Sequence, residues 1–309
     1  MNNELNTENN KKNEQEINPT MPPGKAAIYG LLIVFFLFQF GGGVLYLLIF
    51  GSDLSSANVN ALRLFNVAGQ ILFILAPALI LAKLVYVDNL SPIFRIKIPS
   101  LKEIFLFVIG LVILIPLLQS FLYVQNYIFQ QLADSFSVFE TIKNFADELD
   151  KMMESSYGLI LNANSIFEMI FVVLIVSVTP AICEEVFFRG FTQKSLEYAV
   201  KPFKAILITS FAFALYHFNP YGLFALTILA AYLGFSAYQS KSILIPIILH
   251  FINNFISVIS YFLWGNDELM NTNIVKPEEF TLHIFLLIIL SILLFVFLFY
   301  SKKNYYKFQ

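Results

Sequence analysis

Eight apolar runs constrain this chain more than any other feature. They are roughly Ala26–Phe50, Leu64–Val87, Ile104–Ile128, Ile166–Phe187, Phe203–Phe218, Leu223–Tyr238, Ile243–Trp264 and Leu282–Tyr300. Most approach the ~20 residues that a bilayer's hydrocarbon core requires of a helix. Charged residues make up 13% of the chain and hydrophobic residues 58%, whereas soluble domains carry about 25% charged residues. The expected fold is all-α, a polytopic transmembrane helical bundle of about eight spans. The fifth and sixth runs are short and separated by Pro220, which predicts a tight helical hairpin. The fourth run is expected to continue past Arg189 and break before Pro202.

Loop charges predict the orientation. Of the 19 Lys and Arg residues, most fall in alternate connections: Lys11, Lys12 and Lys25; Arg95, Lys97 and Lys102; Lys194, Lys201 and Lys204; Lys241; and Lys302, Lys303 and Lys307. The intervening connections hold only Arg63, Lys143, Lys151 and Lys276. The positive-inside rule then places both termini in the cytosol. Residues 1–24 read as a disordered polar tail, with no cleavable signal peptide. Residues 25–309 read as a single transmembrane helical domain. Asp88–Lys102 is an inner basic loop, which Pro92 and Pro99 keep from continuous helix. Ser135–Ser156 is an acidic outer loop whose Val138, Ile142, Phe145, Leu149 and Met152 fall on one helical face. Such a helix suits a membrane surface or the cover of a cavity. The net charge of −2 gives no hint of nucleic-acid binding. The single cysteine, Cys183, excludes an intramolecular disulfide.

Polar residues inside apolar runs are costly and mark candidate functional positions. The stretch PAICEEVFFR, Pro180–Arg189, places two adjacent carboxylates at the end of the fourth run. Glu185 and Arg189 are four residues apart and share a helical face, so they can pair. Glu184 points about 100° away from that face and has no partner nearby in sequence. His217 ends the fifth run in FALYH, and His250 stands in the seventh in HFINN, with Asn254 one turn on. Tyr216 and Asn219 flank His217, and Asn253 flanks Asn254. His283 reads as interfacial, and Glu168 as lying outside the site.

A carboxylate and two imidazoles from three helices have two chemical uses. Glu184, His217 and His250 can ligate one zinc ion with a water in the fourth position. Alternatively, Glu184 and His217 activate a water without metal, while His250 and Asn254 donate to the developing oxyanion. Both suit amide hydrolysis in a hydrated membrane cavity.

EEVFFR, FALYH and HFINN, in that order on separate helices, resemble the CPBP family. This family comprises the CAAX proteases and bacteriocin-processing enzymes, also called Abi, and includes CAAX prenyl protease 2 and lysostaphin resistance protein A-like members. Its pattern is E-E-x-x-x-R, then F-x-x-x-H, then H-x-x-x-N. Glu184, Glu185 and Arg189 stand on the first motif, Phe213 and His217 on the second, and His250 and Asn254 on the third. The likeness covers about Ile166–Tyr261, so the family core is expected within residues 160–264. It implies an intramembrane endopeptidase acting on a membrane-embedded or lipidated peptide or protein. Glu184, His217, His250 and Asn254 are then catalytic, with Glu185 and Arg189 in support, and zinc remains open. The short tail and compact loops resemble the prokaryotic branch, which implies a prokaryotic plasma membrane. Two other classes fit the polar residues: a non-catalytic membrane protein, such as a bacteriocin self-immunity factor or scaffold, and a transporter. A transporter would show an inverted repeat, and none is visible.

Overall fold

The computed structural model describes residues 18–51, 58–87, 90–265 and 276–309. Among these the chain is all helical. Its principal helices are α1 Pro23–Phe50, α2 Val59–Tyr86, α3 Leu101–Ser135, α4 Ser137–Leu161, α5 Ile166–Glu197, α6 Pro202–Tyr216, α7 Leu223–Ser240, α8 Leu244–Trp264 and α9 Phe280–Asn304. The expected tail, residues 1–24, lies outside the described residues up to residue 17. Its end is set earlier than the composition suggests, because Pro23 and Gly24 already belong to α1.

Seven of these helices are long and apolar enough to cross a membrane: α1, α2, α3, α5, α7, α8 and α9. The count of eight is corrected at α6. This helix has 15 residues and is therefore roughly 22 Å long at 1.5 Å per residue, well short of the ~30 Å hydrocarbon core. The hairpin it forms with α7 is present. Its connection is closed by Phe218, at φ 49°, and by the Gly222 N–H donating to Asn219 Oδ1 at 2.7 Å.

Two apolar clusters flank the fourth run. One gathers α1, α2, α5 and α6 around Val34, Ile74, Phe187, Phe188, Phe191 and Phe213. The other gathers α3, α7, α8 and α9 around Phe107, Leu111, Leu233 and Leu249. At Gly110 the Tyr232 side chain of α7 lies directly against the backbone of α3. A Cβ there would sit 2.1 Å from Tyr232 Oη, which donates to the Phe107 carbonyl at 2.6 Å.

The loop before α3 does more than carry positive charge. Ile93, Phe94 and Arg95 are buried. Arg95 pairs with Glu197 at 2.7 Å and donates from Nε to the Arg189 carbonyl at 3.3 Å. The loop thereby clamps the end of α5. Ser100 and Glu103 then start α3 with a reciprocal cap, which satisfies two otherwise unpaired N–H groups.

The acidic segment is the helix α4, and it runs on to Leu161. Val138, Ile142, Phe145 and Met152 are exposed. One contact ties the helix to the α6–α7 connection: the Tyr221 hydroxyl donates to Asp147 Oδ1, while Lys143 Nζ lies 2.7 Å from Oδ2. Burial pushes the Asp147 carboxyl up, but the Lys143 and Tyr221 hydrogen bonds and the Lys143 charge outweigh it, holding the group below the usual carboxylate range. The stabilisation is therefore complete above about pH 4, the ordinary aspartate value, and is lost as pH falls through the lower folded value. Amide exchange in α4 is expected to speed up as pH falls through that window, after correction for intrinsic rates. In Asp147→Asn the acid-dependent change should vanish.

Candidate active site

Proline shapes the helix that carries the carboxylates. Pro180 has no N–H to offer the carbonyl four residues earlier, and its ring crowds that carbonyl. The carbonyl belongs to Val176, in a π-helical turn at Leu174–Val178. A second π turn follows at Val186–Thr192. Freed backbone groups at membrane depth need new partners. Asn254 Nδ2 of α8 supplies one, donating to the Val176 carbonyl at 3.2 Å. The Val176 carbonyl thus anchors Asn254 against α5.

Glu184 and Glu185 then separate onto two faces. Glu185 is fully buried. Its Oε1 accepts from Arg189 Nη1 at 2.8 Å and faces His250 Nδ1 at 2.8 Å. Arg189, also fully buried, donates from Nη2 to the Ala230 carbonyl at 3.1 Å and lies over the Phe213 ring at 4.6 Å. The i, i+4 pair is therefore a three-helix joint that also aims His250.

Glu184 turns the other way, into a cavity of about 660 Å³. Its Oε1 accepts from Gln70 Nε2 of α2 at 3.0 Å. Its Oε2 is buried without a protein partner. The same cavity is lined by His217, His250, Asn253 and Asn254, so the four expected catalytic residues share one space. His217 Nδ1 contacts the Phe213 carbonyl at 2.8 Å. A carbonyl accepts only, so Nδ1 carries a proton, and in the neutral imidazole Nε2 then holds the lone pair. The Phe213 ring packs against both imidazoles, with centroids 4.6 Å from His217 and 5.9 Å from His250.

Residues 166–256 match a family model. The family is described as Rce1-like, type II CAAX prenyl endopeptidase Rce1-like. The matched stretch opens at the first residue of α5 and ends within α8. It carries Glu184, Glu185, Arg189, Phe213, His217, His250 and Asn254 on the motifs for which the sequence resembles that family. Curated proteins and solved structures gave no match. Residues of the matched stretch line the cavity together with residues outside it, including Gln70 of α2 and Asp150, Glu154 and Tyr157 of α4.

Among the described residues, no three His, Cys, Asp or Glu side chains are gathered in a group able to hold an ion, and the expected ligands Glu184, His217 and His250 do not form one.

The supporting expectations divide. Tyr216 and Asn219 line the cavity, but Tyr216 Oη donates to the Leu31 carbonyl and Asn219 caps the turn. His283 stacks on Tyr123 at 3.9 Å, and neither it nor Glu168 lines the cavity. Cys183 is buried and free. The residue missed from sequence is Gln70. A signal was present: Asn66 and Gln70 stand one turn apart in an apolar run, and both line the cavity.

Proposed function

We propose that the chain is an intramembrane endopeptidase that hydrolyses a peptide bond with a water activated by Glu184 and His217. The observation that carries this is Glu184 Oε2, a buried carboxylate oxygen with no protein partner, in a cavity shared with His217, His250 and Asn254. Neutral His217 accepts a hydrogen bond at Nε2 from one O–H of the water, which stays on the oxygen, and Glu184 Oε2 takes the other proton as the water oxygen bonds to the carbonyl carbon. The C–N bond then breaks, and the proton passes from Glu184 to the leaving nitrogen. Asn254 retains a second amide hydrogen for the oxyanion. His250 donates from Nε2 only when doubly protonated, and the Glu185 carboxylate faces that charge. No step passes through a metal.

The Lys and Arg bias supports cytosolic termini, and the likeness to the prokaryotic branch supports a prokaryotic plasma membrane. The substrate is a membrane-embedded or lipidated chain, because the cavity sits in a bundle of apolar helices. The full chain in liposomes, given a randomised pool of membrane-anchored peptides and a farnesylated CAAX peptide in ¹⁸O-water, should release fragments bearing the label in the new carboxyl group. Stripping metal with a chelator should leave that rate within about twofold, against the loss that removal of a catalytic ion brings. The absence of any labelled fragment would overturn the reading.

The cavity wall also predicts a charge preference. Asp150, Glu154 and Glu184 line it, and among the described residues no Lys or Arg does. A peptide carrying a basic side chain near the cut should be processed faster than its acidic counterpart, and Asp150→Asn with Glu154→Gln should remove most of the difference. Charge pairs at partly buried sites support a preference of about tenfold.

A further inference from the structure

We infer that Gln70 is the positioning residue for the Glu184 carboxylate, an assignment that rests on the proposed hydrolytic reading. Gln70 lies on α2, outside the stretch that matches the family model, at the first position of a π-helical turn, Gln70–Leu75. Its side chain is buried, at 6% exposure. A primary amide in that setting is costly unless its groups are used. One is used: Nε2 donates to Glu184 Oε1 at 3.0 Å. The other, Oε1, has no partner in the protein, and the residue lines the cavity.

This arrangement has two consequences. The donated hydrogen bond fixes the orientation of the carboxylate in the cavity. It also occupies Oε1 of Glu184 and so leaves Oε2 as the oxygen that receives the water's proton. Gln70 Oε1 in turn offers an acceptor to an N–H or O–H donor entering the cavity. Glu185, Arg189, His217, His250, Asp150 and Glu154 also face or approach this region, so the contact is tested at Gln70 itself.

The test uses the full chain in detergent or liposomes, with two substitutions. Gln70→Leu keeps the approximate volume and removes the donor. Gln70→Glu keeps the shape and places a second carboxylate beside Glu184. Infrared difference spectra at one fixed pH, with Glu184→Gln subtracted, report the Glu184 carboxyl stretch without any substrate. Losing the Nε2 hydrogen bond should shift that band in Gln70→Leu, and exchanging the amide donor for a carboxyl should shift it in Gln70→Glu. With the labelled-peptide assay, kcat should fall by about 10- to 100-fold in Gln70→Leu, with KM little changed. A band unmoved in both variants would overturn the assignment, even if melting temperatures fell. Because the infrared reading needs no turnover, a failure of the hydrolytic reading shows separately, as a wild type that cleaves nothing.

Discussion

Glu184→Gln should reduce peptide hydrolysis by at least about 100-fold and leave the protein folded, since general-base catalysis contributes about 10²–10⁴-fold. The substitution is isosteric and removes only the ability of Oε2 to take a proton. The amide oxygen can still accept from Gln70 Nε2, so the contact to α2 survives. Among the described residues, Oε2 has no hydrogen-bond partner to lose. The melting temperature should therefore stay close to that of wild type while the ¹⁸O-labelled product disappears. If labelled product persisted at more than a tenth of the wild-type rate, Glu184 would not be the base. A non-catalytic scaffold would show no such split between activity and stability.

Arg189→Met should behave in the opposite way. The guanidinium is fully buried and supplies the compensating positive charge for Glu185, at 2.8 Å. Removing one partner of a buried ion pair leaves an uncompensated charge and costs about 3–5 kcal/mol. The loss should appear as a large fall in unfolding midpoint, measured by circular dichroism in detergent. It should also disturb His250, whose Nδ1 faces the same Glu185 oxygen. Glu185→Gln in the Arg189→Met background should recover much of the lost stability, because the stranded charge is then gone. If the single variant fell by less than about 1 kcal/mol, the range of ordinary exposed pairs, the joint would not be the anchor described here. The contrast between adjacent glutamates is the point: Glu184 substitution should remove chemistry without stability, and Arg189 substitution should remove stability first.

The carboxylates were legible in the sequence because local spacing decides them. Glu185 and Arg189 pair at i, i+4 in any regular helix, and the turn between Glu184 and Glu185 sends them to different faces. The three motifs were legible for the same reason, since each lies within one helix. Helix length was less legible where hydropathy continues past a helix end. The run Phe203–Phe218 is apolar throughout, yet α6 stops at Tyr216 and has too few turns to span.

The contacts between helices were not legible. Periodicity tells which face of a helix is polar but not which other helix meets it. Gln70 could be seen as a costly amide in an apolar run, and Asn254 as one turn beyond His250. That Gln70 holds Glu184 across 114 positions of sequence, and that Asn254 fills the carbonyl freed by Pro180, follow only from packing. The zinc reading shows the same limit, because three suitable ligand types were present but their convergence is a tertiary matter. The sequence by itself determined an all-helical membrane chain, the residue types available for chemistry and the local Glu185–Arg189 pair, through hydropathy, charge cost and helical spacing. The tertiary structure decided which helices bring those residues to one cavity, because burying an ionisable group commits it to whichever partner the packing presents.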